Sequence, residues 1–89
     1  MTPLLEAAFV RKTAVVEALL EAGSDINATS FSGRTALMYA ARKGDAATLR
    51  VLAEHGADLQ LRNKDGKSAL DLAANDELKE HLLAAGAQA

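Results

Sequence analysis

Length, composition and charge exclude several classes of protein for this chain of 89 residues with a net charge of −2. Without cysteine it can have neither a disulfide framework nor a thiolate metal site. No run approaches the roughly 18 apolar residues that suggest a membrane helix, and the N-terminus up to Glu6 lacks the basic region of a signal peptide. We therefore expect one small, soluble and cytoplasmic domain.

The first predicted elements are two short helices. Thr2 and Pro3 read as a cap residue followed by proline at the first helical position, where the missing N–H costs nothing. We expect the first helix to run to about Val10. Thr13 is predicted to cap the second helix, which ends near Gly23.

The middle of the chain repeats this arrangement in its most complete form. Thr35 precedes an alanine-rich apolar stretch that predicts a third helix, and Gly44 fits the left-handed residue just past a helix end. Asp45 can cap a fourth helix that stops at Gly56. Both helices are shorter than the ~12–15 residues that an isolated helix needs, so we expect their neighbours to hold them.

The last part of the chain predicts a hairpin and a shortened helix pair. Residues 63–66 are a strong turn signal, and the connector should project away from the helices as a hairpin. Ser68 and Asp71 can form a reciprocal capping box at the start of a fifth helix. A sixth helix is predicted around residues 78–83, three residues early, and we expect the shortening to remove the turn formed by residues 44–45 in the middle pair.

A period of 33 residues relates these elements to one another. The same step connects Thr2, Thr35 and Ser68; Leu4, Leu37 and Leu70; the alanine pairs at 7–8, 40–41 and 73–74; Gly23 and Gly56; and Asp25 and Asp58. Self-similarity at this spacing indicates stacked supersecondary units rather than a single globular core.

The repeated residues resemble the ankyrin repeat family. The family's Thr-Pro-Leu-His-x-Ala-Ala motif is similar to residues 2–8, 35–41 and 68–74. Its helix-ending Leu-Leu-x-x-Gly-Ala-Asp-Val-Asn motif is similar to residues 19–27 and 52–60. The resemblance implies an all-α repeat fold, an ankyrin-repeat solenoid of antiparallel helix pairs joined by β-hairpin-like loops.

The resemblance also implies a single ankyrin-repeat domain over residues 1–89, with units at approximately 1–29, 30–62 and 63–89. Some positions depart from the family pattern. Its histidine is replaced by Leu5, Met38 and Asp71, so the histidine hydrogen bonds between repeats should be absent. Arg11 stands where a helix-ending glycine belongs, and Lys79 takes an apolar position, as an outer face turned to water requires.

No set of residues in the sequence indicates catalysis, a cofactor or a metal. The two histidines, His55 and His81, lie in equivalent helix-end regions of different units, and we expect His55 to interact with its helix C-terminus. Gly66 and Lys67 lack the first glycine of a phosphate-binding loop. We predict a protein that is not an enzyme, with no catalytic residue, no cofactor and no metal site.

Charge is distributed unevenly along the chain. Residues 34–67 hold seven basic and four acidic residues, a net charge of +3, whereas residues 1–33 carry −2 and residues 68–89 carry −3. The basic middle raises the alternative of a nucleic-acid-binding module. The overall charge, only three aromatic residues and the lack of a recognised reading motif argue against it.

The resemblance to ankyrin repeats also implies where a partner protein would bind. The family usually contacts partners with its hairpin tips and with the exposed side of each first helix, near its end. In this sequence those positions are Phe9, Val10, Thr29, Phe31, Ser32, Arg34, Arg42, Lys43, Arg62, Lys64, Asp65 and Lys67. Six of them are basic and one is acidic, so we expect the partner to present an acidic surface.

Phe31 is the sharpest candidate in this set. It stands at a predicted hairpin tip, where a solvated loop would favour polar residues, and large exposed aromatic side chains recur as interface anchors. The alternative is that its ring folds back onto the first unit. Phe9 and Val10 either extend the apolar surface or are simply exposed at the end of the array.

The sequence therefore predicts a non-enzymatic protein–protein interaction module, favoured as a monomer. It would bind its partner through the hairpin tips and the concave face of the first helices. Two alternatives stay open: a fragment or self-associating part of a larger ankyrin assembly, and a nucleic-acid-binding module.

Overall fold

The chain folds as a stack of three antiparallel helix pairs, described by a computed structural model for residues 1–88. The helices are α1 (Pro3–Phe9), α2 (Thr13–Glu21), α3 (Ala36–Lys43), α4 (Ala46–Glu54), α5 (Ala69–Leu72) and α6 (Asp76–Ala85). The first helices α1, α3 and α5 pack against one another in one layer, and the second helices α2, α4 and α6 form the other. The predicted all-α repeat solenoid is confirmed.

Hydroxyl caps start all three first helices, as the sequence predicts. The side chains of Thr2, Thr35 and Ser68 each accept a hydrogen bond from the backbone N–H three residues later, at 3.2–3.3 Å. Asp71 completes the capping box, because its Oδ2 accepts the backbone N–H of Ser68 at 3.0 Å.

The ends of α1 and α3 show why glycine belongs at this position of the repeat. Gly44 ends α3 in the left-handed conformation with φ +71°. Arg11, 33 residues earlier, has φ +64° and is the one non-glycine residue among residues 1–88 with a positive φ. A side chain in this conformation costs roughly 1–2 kcal/mol, so the end of α1 stores strain that the end of α3 avoids.

Thr13 does not cap α2, and that prediction is wrong. The N-cap of α2 is Lys12, which makes no capping side-chain hydrogen bond. The hydroxyl of Thr48 donates to Asp45 Oδ2 at 2.6 Å, and Thr13 Oγ1 lies 2.7 Å from Thr48 Oγ1. Since Thr48 donates its only hydroxyl hydrogen to Asp45, Thr13 is the donor to Thr48. The hydroxyl of Thr13 serves as a polar link between the first two helix pairs.

The three-residue shortening of the last pair lies in its first helix, and the prediction that it removes the turn is also wrong. α5 has only four residues, and Ala73 already leaves the helix with ψ 131°. The cap residue of the following helix is retained, because Asn75 Oδ1 accepts the N–H of Leu78 much as Asp45 does at the start of α4. The last turn of the first helix is therefore what the third pair lacks.

One hydrophobic core runs through the stack and is densest at the central pair. Six of the eight residues of α3 are buried, but only Ala69 is buried in α5. Lys79 is exposed on α6, as expected for an outer face turned to water.

Amide side chains connect each pair to the next at the base of the loops. Asn27 Oδ1 accepts the backbone N–H of Asp58 at 2.9 Å. Gln60, 33 residues after Asn27, donates from Nε2 to the carbonyl of Gly86 at 2.9 Å. This repeated bond orients both loops in the same way relative to the helices.

Candidate binding surface

The first hairpin loop, residues 29–34, holds an aromatic side chain in solvent. Ser30 and Arg34 are joined by a backbone hydrogen bond of 2.9 Å, and a tight turn between them carries Phe31 at its tip. Phe31 is 94% exposed, so its ring does not fold back onto the first helix pair. Beside it lies a depression of about 430 Å³ lined by Met1, Thr2, Thr29, Ser30, Phe31, Gly33 and Lys64.

The tip of this loop is tied to the next loop along the chain. The backbone N–H of Lys64 donates to the carbonyl of Ser32 at 2.9 Å. Gly33 has φ +78°, and a Cβ at this position would lie 3.1 Å from Lys64 N. Only glycine combines this φ with the close approach of the second loop, so the backbone that carries Phe31 is held in place.

The second hairpin loop, residues 62–68, is organised by a buried amide. Asn63 Oδ1 accepts the backbone N–H groups of Asp65 and Lys67, at 2.9 and 3.0 Å. The side chains of residues 64, 65 and 67 are exposed around this turn. The predicted hairpin connector is confirmed as a tight loop with one isolated β-bridge, between Arg62 and Ser68.

Arg62 differs from the other basic residues of this surface because it has partners. Its Nη1 donates to the carbonyl of Gly66 at 2.9 Å and lies 3.7 Å from Asp71 Oδ2. The pKa of Asp71 is lowered mainly by the backbone and hydroxyl hydrogen bonds that it accepts from Ser68, with smaller contributions from the positive charges of Arg62 and Lys67.

A second depression lies on the exposed side of α1 and α3, and we call it the palm depression. It measures about 260 Å³ and is lined by Phe9, Arg34, Tyr39, Arg42 and Lys43. The rings of Phe9 and Tyr39 meet edge to face, with centroids 5.7 Å apart. Lys43 Nζ lies 4.0 Å from the centre of the Phe9 ring, a cation–π contact that holds the ammonium at the rim.

Tyr39 is the lining residue that the sequence assigned only to packing. The repeat aligns Phe9 with Arg42, so periodicity alone does not pair Phe9 with Tyr39. Side chains on a helix lean toward its N-terminus. The ring of Phe9 therefore covers the preceding turn of α1, which lies opposite Tyr39 on α3.

The predicted partner-binding residues fall into separate groups. The palm depression brings together Phe9, Arg34, Arg42 and Lys43, and the depression at the first loop brings together Thr29, Phe31 and Lys64. Ser32 is exposed at the first loop, and Arg62, Asp65 and Lys67 are exposed on the second. Val10 lines a third depression at the N-terminal end of the stack, away from Phe9.

The rest of the described chain contains few groups that could do chemistry. Residues 1–88 bring no three His, Cys, Asp or Glu side chains into an arrangement that could hold a metal ion. His55 interacts with its helix end as expected, with Nδ1 2.8 Å from the carbonyl of Val51. Across the same residues, no helix has the length and apolar character needed to cross a membrane.

Three stacked helix pairs around one continuous core define a helical repeat protein. The family profile of ankyrin repeats, in three copies, matches residues 4–89. The chain therefore belongs to the ankyrin repeat family. Ankyrin repeats are in general protein–protein interaction modules rather than enzymes. A search among curated proteins finds no matching relative.

Proposed function

We propose that this chain binds an acidic partner protein through its two hairpin loops and the palm depression. The membership of the ankyrin repeat family supports the general role. The exposed Phe31 carries the specific proposal. A cytoplasmic location, expected from the sequence, stays a prediction.

Phe31 supports a binding role because it is both fully presented and fixed in position. An aromatic side chain buries roughly 150–250 Å² when it is covered, which is a large part of the energy of many interfaces. At 94% exposure Phe31 contributes almost none of this area to the fold of the chain. The backbone bond between the two loops limits the entropy that binding would cost.

The charges around Phe31 and the palm favour an acidic partner. Within residues 1–88, Arg34, Arg42, Lys43, Lys64 and Lys67 form no ion pair. The second helices carry Glu17, Glu21, Glu54 and Glu80, so the two signs of charge are segregated between the layers. Such a face steers acidic proteins mainly by raising the association rate. Because the Debye length is about 8 Å at physiological salt, the rate should fall as salt is raised.

The test combines capture of the partner with measurement of its affinity. Proteins retained from a cell lysate by the wild-type chain but not by Phe31→Ala are identified by mass spectrometry, and the affinity of the purified partner is then measured. We expect Phe31→Ala to weaken binding by at least about 2 kcal/mol, roughly 30-fold in Kd. The melting temperature should change little, because the side chain is exposed.

Leu83→Ala is the matched control for this test. Leu83 is a large exposed apolar residue, but it lies on the second helix α6. Its truncation should leave the affinity unchanged. A large loss of thermal stability in Phe31→Ala with unchanged affinity would make Phe31 a packing residue and reject the proposal.

Self-association is a second candidate, favoured by apolar residues at the N-terminal end of the stack. Val10 and Val15 are 49% and 45% exposed, and they line a depression of about 350 Å³ with Pro3, Ala7 and Leu19. A second copy packed there would gain roughly 25 cal/mol per Å² of apolar area buried. Sedimentation at two concentrations decides: a rising mass that Val15→Lys abolishes supports self-association, and a constant monomer mass rejects it.

A further inference from the structure

The palm depression gathers three positive charges without an acidic residue among its lining side chains. We propose that it is a pocket for one oxyanion-bearing side chain of the partner, a carboxylate or a serine phosphate, held by Arg34, Arg42 and Lys43. The inference rests on the proposed function, because it names the chemical group of the partner that this part of the surface receives.

The helix on which the charges lie accounts for two of them but not for the third. Arg42 and Lys43 occupy the last turn of α3, where positive charge complements the helix dipole. Arg34 precedes the N-cap Thr35, at the end of the helix where positive charge is unfavourable. The local structure therefore gives no reason for a cation at Arg34.

The environment of Arg34 makes its charge more conspicuous. The side chain is partly buried, and its Nε is fully buried without a hydrogen-bond acceptor among the protein atoms of residues 1–88. Buried polar groups in native proteins are almost always paired, and exceptions often mark functional positions. A guanidinium binds a carboxylate or a phosphate through two parallel hydrogen bonds, so an oxyanion is the complementary ligand.

The size and the walls of the depression fit one side chain. Its volume of about 260 Å³ lies below the roughly 300–1,000 Å³ of pockets for small-molecule ligands. The perpendicular rings of Phe9 and Tyr39 form an apolar wall, and the ring of Phe9 holds the ammonium of Lys43. Apolar walls lower the local dielectric constant and strengthen the attraction between an anion and these cations.

The shortened third helix pair leaves the depression open to another chain. α5 ends at Leu72, so the third pair has no turn equivalent to the one that carries Arg42 and Lys43. Instead, the backbone N–H of Ala74 donates to the carbonyl of Ala41 at 3.0 Å. Arg42 and Lys43 are both exposed at this edge. A single compact site of this kind suits one side chain, whereas a nucleic acid would need a longer basic track for successive phosphates.

Titration of the isotope-labelled full chain, followed by nuclear magnetic resonance, tests the pocket without the partner. The probes are three capped pentapeptides, Gly-Gly-X-Gly-Gly, in which X is glutamate, phosphoserine or glutamine. We expect the two anionic peptides to cause saturable shifts centred on the amides of residues 39–44, and the glutamine peptide to cause none. Clearly tighter binding of the phosphoserine peptide would assign a phosphate, and comparable binding of both would assign a carboxylate.

Two arginine variants show whether the effect is local. Arg34→Gln should raise the half-saturating concentration at least about tenfold, the loss expected for a hydrogen bond to a charged group. Arg50→Gln removes an exposed arginine from the second helix α4 and should change nothing. If Arg34→Gln lowers the melting temperature strongly, Lys43→Gln replaces it as the test variant.

Several results would overturn the pocket. These are equal shifts with the glutamine peptide, shifts spread evenly over the lysines of the second loop, equal effects of the Arg34 and Arg50 variants, or tighter binding of a short oligonucleotide with the same dependence on Arg34. If Phe31→Ala weakens partner binding while the peptides cause no shift, the proposed function stands and the pocket does not. Peptide binding with no effect of Phe31→Ala on the partner would support the pocket and reject Phe31 as the anchor of the interface.

Discussion

The central and the last helix pairs start from the same motif and end with different burial. Both α3 and α5 begin with a hydroxyl cap followed by alanine and leucine. Leu37 on α3 is 1% exposed, whereas Leu70, at the same position of the next repeat, is only partly buried. α3 packs between α1 and α5, but α5 has a first-helix neighbour on one side only. The stack, rather than the motif, decides how much apolar area a repeat buries.

The same contrast extends to the two ends of the stack. Lys79 makes the outer side of α6 polar, and Val10 and Val15 leave an apolar depression at the other end. The central pair needs neither device because it is covered on both sides. Stability should therefore be concentrated in the centre and be most adjustable at the ends.

Truncation of the two equivalent leucines tests this contrast directly and should have the largest effect. We expect Leu37→Ala to cost roughly 2–5 kcal/mol, the range for a fully buried leucine, and to lower the stability of the whole chain in one cooperative transition. Leu70→Ala should cost clearly less, because its side chain is already partly solvated. Urea unfolding followed by circular dichroism gives both values. A two-phase transition that leaves the outer pairs folded would contradict the shared core.

Exchange of residues at the ends of the first helices should have a smaller effect, in opposite directions. Arg11→Gly relieves the positive φ of +64° and should raise stability by up to about 1 kcal/mol. Gly44→Ala introduces a Cβ at φ +71°, and it should lower stability by about 1 kcal/mol. The new Cβ would meet Ala74 at an ordinary 3.6 Å, so the loss would come from the backbone conformation rather than a clash. Equal effects of the same sign would show that the φ values do not decide.

The acid sensitivity of the last pair should be the smallest effect and differs from the centre in kind. Asp71 takes the position that Met38 has in the central repeat, so only the last capping box contains an ionisable group there. Because the pKa of Asp71 is lowered in the folded chain, its stabilising contribution is complete above the ordinary value of 3.8. It is lost as the pH falls below that value through the lowered pKa.

Asp71→Asn should therefore flatten the fall of the melting temperature in this acidic range. Arg62→Gln should flatten it less, because the hydrogen bonds from Ser68 lower the pKa of Asp71 more than the charge of Arg62 does. Thermal melts of the three chains between about pH 6 and pH 3 provide the measurement. An unchanged slope in Asp71→Asn would exclude the capping carboxylate as a source of acid sensitivity.

The candidate site could be predicted in part from the sequence. The loop positions and the exposure of Phe31 follow from the turn residues around it, since a solvated turn offers nothing for the ring to pack against. The palm depression could not be assembled in this way. Its ring pair joins residues 30 positions apart in a chain that repeats every 33, and it depends on the lean of a helical side chain.

The sequence by itself determined the repeat, the helix pairs, the hydroxyl caps and the need for a left-handed residue at Gly44 and Arg11. These features depend on bonds between residues a few positions apart, or on a period that every unit shares. Only the tertiary structure decided that Thr13 donates to Thr48 rather than capping α2, and that the last repeat loses a helical turn instead of its linker. Both outcomes depend on which groups of neighbouring units meet in space, where a buried carboxylate or a packed backbone competes with the local preference.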